Sequence, residues 1–99
     1  MEVLVYRAES GKMRDVVDVA LVVLLKVDIN AFVDLKEKYL PHGLKQAIRM
    51  HDHPFWQDEG LRMWEEIKAL VNARLDPGYW FGQSMETPAV VGIFRTESE

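Results

Sequence analysis

The sequence predicts an α+β fold in which about four helices pack on a small antiparallel sheet formed by the N-terminal strand and the C-terminal strands. Three observations predict it. Segments rich in β-branched and aromatic residues lie near the two ends of the chain, apolar residues recur at helical spacing between them, and proline or glycine separates the helical stretches. Because 99 residues suit one domain, we expect a single domain over residues 1–99.

The first two elements are a strand over residues 2–8 and a helix over residues 13–27, for which Ser10 is a candidate N-cap. The strand's apolar residues are consecutive rather than alternating, which is typical of a strand covered on both faces. If helices cover one face, we expect a partner subunit on the other. The helix is apolar on most sides, which favours a central position or a subunit interface. Its valines leave a buried strand over residues 19–25 as the alternative.

A second helix is predicted over residues 31–40, "AFVDLKEKYL", with Asp28 or Asn30 as its N-cap. "LPHG" then interrupts the helical pattern. Pro41 lacks the N–H that would continue the preceding helix, and it suits the first turn of a third helix over residues 42–51.

The fourth helix is predicted from Pro54 to Leu75, after a second break at "HDHP". Gly60 destabilises the first turns by up to ~1 kcal/mol, so we expect the ordered helix to begin near Glu59. "DPG" ends this helix. The segments "YWF" and "AVVGIF" predict two strands joined by the turn "GQSMETP".

Composition and charge exclude several classes of function. The absence of cysteine excludes disulfide scaffolds, thiolate zinc sites and thiol nucleophiles. The net charge of −4 argues against binding to nucleic acid or anionic membrane. The longest apolar run, residues 19–25, is too short to span a bilayer, and no export signal follows Met1, so we expect a cytoplasmic protein with no membrane contact.

Charge is unevenly distributed along the chain, because a basic stretch precedes an acidic one. We expect two neighbouring helices to neutralise each other. A nucleic-acid surface is the third-ranked interpretation, and it would use Lys36, Lys38, Lys45 and Arg49.

The stretch "RMHDHPFW", residues 49–56, is either a metal or acid/base site or a corner between helices. A zinc site needs three or four convergent ligands, whereas His42 lies about 180° around the predicted helix from His51. Asp52 or His53 can cap the helix that follows. We therefore favour a structural corner, and we predict no metal, no cofactor and no catalytic residue.

Aromatic residues concentrate between positions 55 and 81, which hold six of the ten in the chain. In a strand, Trp80 faces opposite to Tyr79 and Phe81, so both faces of this segment present rings. One face belongs to the core, and the other lies under a helix or contacts a partner. Because tryptophan and tyrosine are enriched in interface hot spots, the predicted binding residues are Trp56, Tyr79, Trp80 and Phe81.

These observations favour a small acidic non-enzymatic protein that acts through protein–protein interaction as a regulator, inhibitor or assembly factor, and that forms a homodimer. The alternative is a small-molecule-binding or enzymatic α+β domain, with an aromatic-lined pocket and His51 or His53 as the polar group. A deep pocket containing a histidine would favour the alternative, and dimeric mass in solution would favour the first hypothesis.

Overall fold

A computed structural model describes residues 4–39, 50 and 52–95. Within these ranges three α-helices pack on a three-stranded antiparallel sheet, which confirms the α+β class. The sequence predicted about four helices, so the described residues hold one fewer. The helix predicted over residues 42–51 lies outside the described residues except for Met50, which is not helical. The elements in chain order are β1 (Leu4–Arg7), α1 (Met13–Val27), α2 (Ile29–Tyr39), a short 3-10 helix (Pro54–Trp56), α3 (Glu59–Arg74), β2 (Tyr79–Gln83) and β3 (Val90–Arg95).

The sheet has the strand order β1–β3–β2, and β3 pairs antiparallel with both neighbours. In this register Ile93 lies between Leu4 and Phe81. The N-terminal strand therefore pairs with the C-terminal strand, as the sequence predicted, and β1 and β2 form the two edges.

Helix α1 lies at the centre of the fold and packs against α3, α2 and β3. Val17, Ala20 and Val23 are fully buried, and Leu24 beside them is too. This packing resolves the alternative of a buried strand in favour of the helix. The small propensity cost of the valines is outweighed because most helical stability in proteins comes from burial of the apolar face.

The N-terminus of α1 differs in detail from the prediction. Lys12 occupies the N-cap position and makes no side-chain capping bond. Ser10 lies two residues earlier, where its hydroxyl accepts a hydrogen bond from the Lys12 backbone N–H at 3.1 Å and donates one to Asp15. Ser10 therefore fixes the turn before the helix rather than capping it.

Asp28 is the residue that caps α2, since its Oδ1 accepts a hydrogen bond from the Ala31 backbone N–H at 3.0 Å. The same carboxylate forms an ion pair with Arg74 at the end of α3. These two contacts hold the pKa of Asp28 below its ordinary value, with the Ala31 hydrogen bond as the larger cause.

The predicted corner forms, and of its two candidate caps, Asp52 and His53, the structure shows His53, whose Nδ1 accepts a hydrogen bond from the Phe55 backbone N–H at 3.1 Å. His53 caps the short 3-10 helix rather than the long helix, whose N-cap is Asp58. Helix α3 then begins at Glu59. Gly60 is needed there, because a Cβ at this position would lie 2.8 Å from Cε3 of Trp56. The glycine weakens the first turn of the helix and in return lets the Trp56 ring be buried against it.

Candidate functional site

The two faces of the sheet have different surroundings. Side chains alternate between faces along each strand, so Phe81, Val91 and Ile93 share the face that packs against the helices, and all three are buried. The opposite face, called here the open face, consists of Val5, Arg7, Trp80, Gly82, Val90, Gly92 and Phe94. Trp80 is 43% exposed, Val5 is 46% exposed and Arg7 is exposed, whereas Val90 is buried. Apart from Arg7 the open face is therefore apolar, and part of it is in contact with solvent.

Trp80 and Phe94 lie directly opposite each other on β2 and β3, with ring centroids 5.4 Å apart and planes inclined by 33°. The next cross-strand pair is Gly82 and Gly92. A Cβ at Gly82 would lie 2.5 Å from Cζ2 of Trp80, so the indole lies flat over this glycine. Gly82 thus leaves the space that the Trp80 ring occupies, whereas a Cβ at Gly92 would meet the backbone of β1.

The four predicted binding residues separate into two groups. Trp56 and Phe81 are buried, with Phe81 packed against Trp64 at a centroid distance of 5.6 Å. Trp80 is exposed, and Tyr79 is half-buried beneath the Arg95 guanidinium. Trp56 and Phe81 therefore support the surface from inside, and a binding role for Tyr79 and Trp80 stays a prediction.

Phe94 is the open-face residue that the sequence analysis missed. The segment "AVVGIF" was interpreted as one apolar strand, and its alternation was not used. Ile93 and Val91 point to the core, so Phe94 and Gly92 must point the other way. The alternation alone places Phe94 on the face opposite Ile93, whereas its pairing with Trp80 is shown only by the register of the sheet.

A groove of about 570 Å³ runs beside the aromatic pair, at the side of β2 that faces α3. Its polar groups include Lys68 and Gln83, and His53, the one histidine that the structure describes, is not among its lining residues. The Lys68 amine lies 3.2 Å from Glu65 and 5.3 Å from the centroid of the Trp64 ring. The groove thus offers aromatic walls and one cation, rather than the histidine that the alternative hypothesis expected.

The outer edge of β2 is closed by a side chain from α3. Asn72 accepts a hydrogen bond from the Phe81 backbone N–H at 2.8 Å and donates one to the Phe81 carbonyl oxygen at 3.1 Å. An amide side chain presents one acceptor and one donor side by side, as a neighbouring strand would. The backbone N–H and C=O groups of Phe81, in the middle of this edge, are therefore already hydrogen-bonded and are not free to pair with another strand.

The outer edge of β1 has no such cover from any described residue. The Ala8 backbone N–H donates to the Ala89 carbonyl at 2.7 Å, which sets the alternation along the strand. Leu4 and Tyr6 then direct their backbone groups toward β3, and Val5 and Arg7 direct theirs outward. No described residue forms a hydrogen bond with the backbone groups of Val5 or Arg7.

A polar cluster joins α2 to α3, where Lys38 Nζ lies 3.0 Å from both carboxylate oxygens of Glu66, and the Tyr39 hydroxyl donates to the same carboxylate. Burial, followed by the Glu66 hydrogen bond, raises the pKa of Tyr39 to about 12. The Tyr39 hydrogen bond lowers the pKa of Glu66. The ion pair and the hydrogen bond to Glu66 therefore link α2 to α3. Lys38, from the basic stretch, is thereby neutralised as the sequence predicted.

Other kinds of site are not supported by the described part of the chain. Over residues 4–39, 50 and 52–95, no three histidine or acidic side chains come together in a way that could hold a metal ion. His42 and His51, the other two histidines of the proposed metal site, lie outside these ranges. No described helix is both long enough and apolar enough to cross a membrane. Comparisons with protein-family models, with curated proteins and with solved structures found no match to this chain.

Proposed function

We propose that this chain is a cytoplasmic, non-enzymatic protein that acts through protein–protein interaction as a homodimer, with the open face as its partner-binding surface. One observation supports the proposal most directly: an aromatic pair, Trp80 and Phe94, lies partly exposed on the face of the sheet turned away from the helices. A compact monomer gains nothing from leaving a tryptophan in water there, whereas a partner that covers it gains the burial of a large apolar surface.

The Trp80 ring is also held in place before any partner arrives. It contacts Phe94 on one side and covers Gly82 on the other, so few rotamers are open to it. An immobilised side chain loses little conformational entropy on binding, and rigid aromatic anchors of this kind are frequent hot spots. This supports binding of a protein surface rather than a purely structural role for the ring.

The experiment compares the full-length wild type with Trp80→Ala and with Val33→Ala, a control on α2 whose side chain is similarly exposed at 45%. Proteins retained by the immobilised wild type from the native host are purified, and their binding is measured by titration calorimetry. We expect Trp80→Ala to weaken binding by ~2 kcal/mol, or about thirtyfold, and Val33→Ala to leave it unchanged.

Circular dichroism must show that both variants keep the fold. The proposal fails if every purified binder associates equally with the wild type and with Trp80→Ala, or if none binds the purified wild type. Retention from the lysate alone does not count in its favour, because exposed aromatic surface also binds proteins non-specifically.

A small-molecule function is the second candidate, and the groove beside β2 is the observation that favours it. Trp80 and Phe94 could stack on a planar ligand while Lys68 pairs with an anionic group on it. This candidate predicts that Lys68→Met abolishes binding of an aromatic carboxylate while leaving binding of a protein partner intact. Quenching of tryptophan fluorescence by such a ligand would measure it.

A further inference from the structure

We infer that β1 is the dimer contact: two copies pair their β1 strands antiparallel across a two-fold axis, and the two three-stranded sheets join into one six-stranded sheet. This inference rests on the proposed homodimer and adds where the copies meet. It leaves the open faces of both copies uncovered and side by side, so that a partner protein could contact both.

Unpaired backbone groups on β1 are the first support. Since Leu4, Tyr6 and Ala8 direct their hydrogen-bonding groups toward β3, the N–H and C=O groups of Val5 and Arg7 form a free edge. Such an edge is a template for another strand, and proteins usually obstruct it with charge, proline or a covering segment. Val5 is instead apolar and, within the described ranges, uncovered.

The closure of the other edge determines which pairing is possible between copies. At β2, Asn72 occupies both backbone groups of Phe81, so a strand cannot pair there without displacing the amide. A β1-to-β2 contact between copies would propagate into an open chain, whereas β1-to-β1 pairing uses the free edge of each copy once and closes. For contacts between copies, the structure therefore favours a closed dimer over a fibre.

A two-fold axis at Tyr6 gives a register in which the free N–H and C=O groups of Val5 and Arg7 all form hydrogen bonds. In this register the backbone of Val5 lies opposite that of the partner's Arg7, and the reciprocal pair forms on the other side of the axis, which gives about four N–H···O bonds. It also avoids placing the two Arg7 side chains directly opposite each other, which would be destabilising.

Apolar surface extends from this edge onto helix α1. Leu4 and Val5 are 48% and 46% exposed, and Val22 on α1 is 46% exposed. Val22 lies one helical turn before Lys26, whose amine is 5.3 Å from the centroid of the Tyr6 ring, so both residues are on the flank of α1 next to β1. A single strand is smaller than the ~800 Å² that each partner buries in a standard interface, and contact between the two α1 flanks supplies further area.

The test is sedimentation of the full-length chain over a range of micromolar concentrations, with Val5→Lys and a matched control, Val33→Lys, whose wild-type valine is 45% exposed on α2. We expect the wild type and Val33→Lys to sediment at about 23 kDa, twice the 11.5 kDa of the chain. Val5→Lys should raise the dissociation constant at least tenfold, because a lysine at the edge obstructs pairing.

Val22→Lys examines the same contact from the helix and provides the test if Val5→Lys does not fold, since an exposed helical position tolerates lysine. If Val5→Lys and Val22→Lys both fold and still dimerise like the wild type, the β1 contact is wrong. That result does not affect the proposed partner binding at Trp80. A wild type that sediments at 11.5 kDa throughout overturns both the contact and the homodimer. Equal weakening by Val33→Lys would show that the effect is one of charge, and would also overturn the contact.

Discussion

The two edges of the sheet, β1 and β2, differ in whether another part of the molecule forms hydrogen bonds with their outer backbone groups. At β2 a side chain from α3, Asn72, makes both hydrogen bonds that a neighbouring strand would make with Phe81. At β1 the backbone groups of Val5 and Arg7 have no partner among the described residues, and the exposed side chains beside them are the apolar Leu4 and Val5 and the charged Arg7. A sheet with one closed and one free edge can pair once and then stops growing, so the difference between the edges determines the size of the assembly.

The largest expected effect comes from a substitution in the core beneath the β2 edge. Trp64 packs against Phe81 in the core, and truncation to alanine should cost on the order of 3–5 kcal/mol and can unfold a domain of this size. Trp80→Ala, on the exposed face, should cost much less. Chemical denaturation of the two variants beside the wild type measures the difference, and equal losses would show that Trp80 belongs to the core.

Asn72→Ala should convert the closed edge into a free one. Phe81 loses both side-chain hydrogen bonds, and we expect a loss of about 1–3 kcal/mol, toward the lower end because water can reach an edge. More informatively, a molecule with two free edges should form species larger than a dimer. Light scattering at increasing concentration measures this, and a variant that stays at the wild-type mass would refute the role given to Asn72.

Asn72→Asp provides a graded control for that experiment. The carboxylate still accepts the Phe81 N–H but cannot donate to the Phe81 carbonyl oxygen, and its charge discourages a second strand. We expect a loss of stability with little change in mass. If Asn72→Asp and Asn72→Ala associate alike, the growth of the alanine variant does not come from the uncovered edge.

The smallest effect is a pH dependence that should leave both edges unchanged. The pKa of Tyr39 is raised from 10.0 to about 12, so its contribution to stability is fully present below pH 10 and is lost as the pH rises through 12. Tyr39→Phe should lack this loss and should keep the wild-type mass in sedimentation. The difference between the absorbance titrations of the wild type and Tyr39→Phe gives the pKa of Tyr39, and a value near 10 would contradict the hydrogen bond to Glu66.

The sequence predicted most of the features that depend on neighbouring residues. Helix 13–27 follows from local spacing, and the structure confirms it. Local capping chemistry left two candidate caps at each of two positions, and the structure shows Asp28 rather than Asn30 at α2 and His53 rather than Asp52 at the corner. The outward orientation of Trp80 follows from the two-residue period of a strand. Each of these signals lies within a few residues of the feature it predicts.

Features that depend on residues far apart in the chain could not be predicted from the sequence. Nothing in the local pattern places β3 between β1 and β2, so neither the edges nor the pairing of Phe94 with Trp80 could be derived. In the sequence, Asn72 is an ordinary polar residue of a predicted helix. In the structure, its amide forms hydrogen bonds with the backbone of Phe81 on β2. Gly60 was interpreted as a weakness of α3, because its contact with Trp56 appears only once the corner is folded.

Backbone amide hydrogen exchange, followed by NMR at low and high protein concentration, tests the difference between the edges most directly. The account predicts that the Phe81 amide exchanges slowly at both concentrations, because Asn72 holds it within the monomer. The amides of Val5 and Arg7 should exchange fast in the dilute sample and slow in the concentrated one, in step with the rise in mass. If Val5 and Arg7 stay fast where the protein is dimeric, or if Phe81 is as fast as they are, the account is contradicted.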